Sequence, residues 1–215
     1  MFQNSEQIRR PRGRPQVRSD EETRQLLIAA AAEEFQTNGY AGTSIGAVAL
    51  SAGISTKTLY RLVATKADLF SLVVTERITQ FMMTFDDGAH DTVDTAVALE
   101  RILTAYGTLT LGQETIAISR LVIGECDRFP EIAAAFYENA IVRTNLALAA
   151  WLARQCERGR IRLADPQIAA GMLRGMMIME VQRATMLGQR AAPDATEIAA
   201  RAKACTELFL GGCRL

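Results

Sequence analysis

The stretch from Thr43 to Leu62, Thr-Ser-Ile-Gly-Ala-Val-Ala-Leu-Ser-Ala-Gly-Ile-Ser-Thr-Lys-Thr-Leu-Tyr-Arg-Leu, leaves few folds open to this chain. Ala49 is small where two helices would cross closely, and Gly53 can take the positive φ that a tight turn between them requires. Val48, Ala52, Ile54, Leu59 and Leu62 supply an apolar seam for the pair. The spacing predicts a helix-turn-helix whose second helix starts after Ser55 as N-cap. At about 100° per residue, Leu59, Leu62 and Val63 share one face of that helix, while Lys57 and Arg61 lie opposite, flanked by Thr58 and Tyr60. The outward face is therefore basic and rich in hydroxyls. Such a face suits a DNA major groove, where Lys and Arg donate to guanine acceptors and hydroxyls bond bases or phosphates. For either cation taken singly, a surface helix with solvated charges is the alternative.

Residues 1–18 mix Gln, Asn, Ser, Pro and Gly with Arg9, Arg10, Arg12, Arg14 and Arg18, a composition expected of a disordered basic arm. Its centre, Pro11-Arg12-Gly13-Arg14-Pro15, resembles the AT-hook. There a flat Arg-Gly-Arg segment lies in a narrow A·T minor groove, glycine leaving the floor clear and the arginines meeting its negative potential. Arg10, Arg12 and Arg14 are candidate DNA contacts on this reading. A solvated tail is the alternative.

The chain balances 24 Lys and Arg against 24 Asp and Glu, which argues against a wholesale polyanion binder and leaves the local placement of charge to decide. Cys126, Cys156, Cys205 and Cys213 form no C-x-x-C pair and have no histidine nearby, so a reduced, cytoplasmic chain without zinc or a disulfide framework is expected. The first residues do not read as a leader, Cys213 is misplaced for prenylation, and no run approaches the ~18 apolar residues of a membrane span. Abundant Ala, Leu, Ile and Met with few aromatics predict an all-α protein.

The expected organisation is a basic arm (1–18), a three-helix DNA-binding domain (19–65) and a larger helical domain (66–215). Helix 1 opens near Ser19 or Asp20, with Glu21 and Glu22 in its first turn, and closes at Asn38-Gly39. Helix 2 starts at Thr43 or Ser44. After Ala64-Thr65 an amphipathic helix spans 66–85, and further helices are expected at 93–110, 114–127, 130–158, 166–187 and 194–210. Pro130 and Pro166 fit first turns, Asp165 an N-cap, Gly159 and Gly211 helix ends, and Ala191-Ala192-Pro193 a hinge.

These residues resemble the TetR (tetracycline-repressor) family of bacterial transcription regulators over an N-terminal module of about fifty residues. The match runs through Glu34-Phe35-Gln-Thr-Asn-Gly39-Tyr40, Thr43-Ser44, Ala49 to Gly53, Ser55-Thr-Lys-Thr-Leu-Tyr60 and Lys66-Ala-Asp-Leu69-Phe70. The stretch Arg120-Leu-Val-Ile-Gly-Glu125-Cys-Asp-Arg-Phe129-Pro130-Glu, with Ala135-Phe136-Tyr137, is similar to the AefR-like subgroup. The resemblance implies a homodimer whose reading heads sit in successive major grooves and whose larger domain dimerises and accepts a small-molecule effector. It makes Thr56, Lys57, Thr58 and Arg61 candidate base or near-base contacts, and Thr43, Ser44, Ser55, Tyr60 and Lys66 candidate phosphate contacts. Leu62 and Val63 depart from the His or Tyr and aromatic usual in the family, so recognition would lean harder on Arg61 and the arm.

The helices expected at 166–187 and 194–210 carry more apolar width than one core needs, through Met172, Met176, Met179, Cys205 and Leu208 among others, and are the expected dimer surface; an internal bundle is the alternative. A two-fold pair of heads about 34–36 Å apart would read an inverted repeat. Phe81, Met82, Phe85, Tyr106, Arg120, Ile123, Phe136, Tyr137, Trp151, Arg174 and Met177 are candidate effector contacts, with plain core packing the alternative for each. Arg120 stands out among apolar neighbours, although Glu125 or Glu114 could pair with it. Ligand would act by favouring a domain spacing that no longer matches the groove repeat, through displacement of the helix begun by Lys66. No cofactor or metal is expected. An enzyme finds little support, since His90 is the sole histidine and no nucleophile elbow or phosphate-cradling loop is present. An architectural binder of A·T-rich DNA acting through the arm alone remains the other reading.

Overall fold

The computed structural model describes residues 18–86 and 93–213, without the side chains at 80 and 84–86. Residues 1–17 of the arm, with Arg10, Arg12 and Arg14, and the loop around His90 lie outside them. Every regular element among the described residues is helical.

Helix α1 (Asp20–Gly42) opens in a capping box: Glu22 N–H donates to Ser19 Oγ (3.1 Å) and Ser19 N–H to Glu22 Oε2 (2.8 Å). Gly39 breaks its regularity with φ +70°, so the chain turns just where the sequence predicts an end, before Tyr40 folds under the helix with its ring buried against Phe35 and Phe70. Helix α2 (Ile45–Ser51) is capped by Ser44 and α3 (Thr56–Leu62) by Ser55. Between them Gly53 sits at φ +64°, its N–H donating to Leu50 O while Ile54 N–H donates to Ala49 O, the paired bonds of a Schellman ending. The helix-turn-helix is therefore present as expected, with Ala49 and Leu59 fully buried at its crossing.

Helix α4 (Lys66–Asp86) connects the halves and belongs to both. Leu69, Phe70, Val73, Val74 and Ile78 pack in a core with α1, α2 and α3, and Phe81 in a second core further on. The first core also takes in Ile118 and Val122 of α6 (Gln113–Glu125) and Ile132 of α7 (Pro130–Phe136), so the reading head rests on the larger domain as well as on α4. The second core joins α5 (Thr95–Leu111), α8 (Arg143–Glu157), α9 (Pro166–Met186) and α10 (Ala195–Cys213) around Trp151, Leu103, Leu152, Leu173 and Met177.

Two expectations of helix extent change. The single helix expected over 130–158 is α7 and α8 joined by a wider π turn, Tyr137–Val142, whose bonds reach one residue further back and rotate the following side chains. Gly211 does not end α10, which runs on to Cys213; that residue is buried, and its carbonyl accepts from Arg162 N–H (3.1 Å). Asp165 caps α9 with Pro166 in its first turn, and Gly159 (φ +66°) follows α8, both as the sequence suggests. All four cysteines are free thiols. Among the described residues no helix is long and apolar enough to cross a membrane, and no group of three or more His, Cys, Asp or Glu could hold a metal ion.

Candidate nucleic-acid interface and ligand cavity

Helix α3 presents the face that its periodicity foretells. Leu59 and Val63 point into the core while Thr56, Lys57, Tyr60 and Arg61 are exposed. Lys57 and Arg61, four residues apart, lie on one side of the helix. Arg61 is not a free cation: Nη2 and Nη1 donate to the two oxygens of Asp20 at 2.6 and 2.9 Å. Those bonds, then the charge of the guanidinium, hold the Asp20 carboxyl below the usual carboxylate range. The pair fixes the guanidinium at the start of α1 and leaves its Nε–H without a described partner, so a second acceptor can still meet its side edge. Ser44 and Ser55 are exposed but already accept from Ala47 N–H (3.1 Å) and Thr58 N–H (3.0 Å), and the Thr58 hydroxyl is within 2.8 Å of Ser55 Oγ.

Thr43 and Lys66, assigned to phosphate from the resemblance, have other work. Thr43 is 3% exposed, and its hydroxyl donates to Gly39 O (2.7 Å) and Glu34 O (3.1 Å), closing α1. Lys66 Nζ donates to Tyr40 O (2.7 Å) and Thr43 O (3.0 Å) and stands 4.5 Å from the centre of the Tyr40 ring. Both side chains bind carbonyls at the end of α1 instead of facing solvent.

The same corner receives a residue that the sequence did not single out as a joint. Glu125, at the end of α6, accepts from Tyr40 N–H (2.8 Å) and Ala41 N–H (2.9 Å). Gly39 leaves it room, since a Cβ there would lie 2.8 Å from Glu125 Oε1. Tyr40 also donates its hydroxyl to Glu131 (3.3 Å), and burial, then the charge of Glu131, push its pKa up to about 12. The end of α1 is thus clamped to the α6–α7 turn by a carboxylate and to α4 by an ammonium. Only long-range pairing reveals this; Glu125 lies 85 residues from Tyr40 in sequence.

A cavity of about 860 Å³ borders the first core, walled by α4, α5, α6, α7, the π turn and α9. Of the candidate effector contacts, Tyr106, Ile123, Phe136, Tyr137 and Arg174 line it. Phe81, Met82, Trp151 and Met177 do not; Trp151 and Met177 are 1% and 0% exposed and fill the second core, and Phe81 packs there 5.8 Å from the Tyr106 ring. Met82 lies partly buried against both cores. The Phe85 side chain falls outside the described ones. Arg120 also leaves the cavity: its Nε and Nη2 donate to Met186 O (2.8 Å) and Thr185 O (2.6 Å), capping the end of α9, while Glu114 pairs with Arg77. The walls include residues not foreseen, among them Val74, Ile78, Ile118, Val122, Ile178 and Gln182. Their apolar spacing marks an inward helix face and gives no sign of whether that face meets a neighbour or a void.

The cavity is less polar than its composition suggests. Thr110, Ser119 and Thr144 each turn the hydroxyl back to the carbonyl four residues earlier, at 2.7 to 2.8 Å, and so spend their donors on the backbone.

Comparison with known proteins adds to this geometry. Residues 27–73 match the family model of tetR-family bacterial regulatory proteins, and residues 97–212 match that of the AefR-like transcriptional repressor C-terminal domain. No curated protein matches the chain. A solved TetR-family transcriptional regulator of Mesorhizobium loti is 26% identical, with a TM-score of 0.79 over 91% of this chain and 98% of its own. The flavonoid-responsive regulator FrrA is 24% identical (TM-score 0.70; 90% and 98% covered). The transcriptional regulator FadR of Bacillus subtilis, solved with stearoyl-CoA, is 19% identical (TM-score 0.64; 87% and 98% covered). These last two likenesses are of fold. With one model covering its reading head and another more than half its length, the chain belongs to the TetR family of transcriptional regulators, with an AefR-like C-terminal domain.

Proposed function

We propose that this TetR-family regulator is a homodimeric repressor that reads an inverted-repeat operator through α3 and lets go when a small molecule enters the cavity. The observation that carries the reading is the position of α6, which walls the cavity with one face and through Glu125 holds the end of α1 with its last turn. A ligand that moves α6 or α4 therefore biases the seating of the reading head, a population shift between two spacings. Lys57, Arg61, Thr56 and Tyr60 are the proposed DNA contacts on α3, with Ser44 and Ser55 toward phosphates. Arg10, Arg12 and Arg14 are proposed to follow the minor groove.

Dimerisation is assigned to α9 and α10. Ile168, Met172, Met176 and Met179 form an exposed stripe at helical spacing, and Leu208 on α10 is 71% exposed. Among the relatives in fold, one is named flavonoid-responsive and another was solved with stearoyl-CoA, and the mainly apolar walls of the present cavity suit a ligand with a hydrophobic body.

Selection of bound fragments from random duplex DNA by the full chain tests the proposal. An enriched inverted repeat is expected, with half-sites whose centres lie about one helical turn or a multiple apart. Recovery of A·T-rich DNA without a repeat would favour the arm acting alone as an architectural binder.

A further inference from the structure

Arg174 of α9 lines the cavity, half-buried, and its charge is not matched by any carboxylate of the described residues. Its Nε donates to the Tyr106 hydroxyl (3.0 Å) and its Nη1 to Asn145 Oδ1 (3.2 Å), and the guanidinium lies 5.2 Å from the Tyr106 ring centre. These partners are neutral. A guanidinium has five N–H donors in a planar fork, and Nη2 donates to no described group. The other cation of the wall, Arg77, is already paired with Glu114. Thr110, Ser119 and Thr144 turn their hydroxyls onto backbone carbonyls, so Arg174 stands as an oriented, uncompensated donor beside apolar walls. Glu138 also lines the cavity, but it is exposed and forms no ion pair among the described residues.

We infer that the cavity selects an apolar monoanion, a molecule with a hydrophobic body and a single carboxylate that pairs with Arg174. The inference rests on the reading of the cavity as the effector site and adds the chemical class. A carboxylate meets a guanidinium through charge-assisted, often bidentate hydrogen bonds, whereas an alcohol of the same body offers one neutral acceptor. Tyr106 and Asn145 hold the guanidinium in place beforehand, so little ordering remains to be done when the ligand arrives.

The test is calorimetric titration of the full chain with decanoate, decanol and decylamine, three probes that share a body and differ in charge. Decanoate is expected to bind about ten- to a hundredfold more tightly than decanol, the range that charge-assisted bonds supply. Arg174→Met and Arg174→Gln are expected to abolish that preference, because decanoate loses an ion pair and decanol at most one neutral hydrogen bond, and decanol that still binds reports that the cavity has kept its shape. Equal affinity for acid and alcohol, a preference that survives both variants, or tighter binding of the amine would overturn the anion assignment while leaving a ligand cavity. If no probe binds up to about 1 mM, near −4 kcal/mol, the effector-site reading falls together with it.

Discussion

Replacing Glu125 by Ala removes the carboxylate that joins the α6–α7 turn to the reading head. Two backbone amides lose their acceptor, Tyr40 N–H at 2.8 Å and Ala41 N–H at 2.9 Å. A hydrogen bond to a charged group contributes about 1.5–3 kcal/mol, and a buried donor left unsatisfied costs about 1–3 kcal/mol. Ala41 is exposed, so water replaces its partner and most of the loss falls on the amide of Tyr40, whose residue is 2% exposed. The expected destabilisation is about 2–4 kcal/mol, a fall in Tm of roughly 4–16 °C at the ~2–4 °C per kcal/mol of chains this long. Glu125→Gln keeps one acceptor oxygen and should lose about half as much. Thermal unfolding followed by circular dichroism reads the change, and operator affinity measured well below Tm reads whether the head is still seated. A Glu125→Ala variant with unchanged Tm would show that the joint contributes nothing, and the route from cavity to DNA would have to run through α4 alone.

Lys57→Ala and Arg61→Ala should each cost about 1–3 kcal/mol against the selected operator in an anisotropy titration, with the loss concentrated at particular base pairs. Asp20→Asn removes the charged partner that fixes Arg61 and a negative charge beside the proposed DNA-contacting face; binding to unrelated duplex should strengthen while base discrimination at the Arg61 position weakens. Tyr40 has its pKa raised from 10.0 to about 12, so the folded form keeps a proton that the unfolded chain gives up first. Its contribution to stability is complete below about pH 10 and is lost as pH rises toward 12, so urea unfolding at intervals across that window should fall more steeply for the wild type than for Tyr40→Phe. Met172→Glu combined with Met176→Glu puts charge on the exposed α9 stripe, and light scattering should then report a single chain.

Local chemistry was legible and long-range geometry was not. Ser19, Ser55 and Asp165 announce helix starts because a short oxygen-bearing side chain satisfies the first free amides, and Gly53 announces a turn because its φ is positive. The outward side of α3 follows from a 100° step alone. Thr43 and Lys66 are ambiguous in sequence because a hydroxyl or ammonium near a helix start suits a phosphate and a carbonyl equally, and the folded corner at Tyr40 gives both of them carbonyl partners. Trp151 and Met177 fit a cavity by residue type because large adaptable side chains suit a void and a core alike, and the fold buries both in the second core. The π turn at Tyr137–Val142 has no residue signature comparable to a proline or a glycine cap, so it read as unbroken helix.

Two reading heads held at a set distance make DNA binding sensitive to the spacing of half-sites. With the selected inverted repeat in hand, affinity should be measured for it and for a version lengthened by five base pairs at the centre, about half a helical turn. That insertion turns the second half-site to the opposite side of the duplex, and a loss of at least about a hundredfold, near 3 kcal/mol, is expected. Equal affinity for the two duplexes would contradict a two-fold pair of α3 helices reading the major groove.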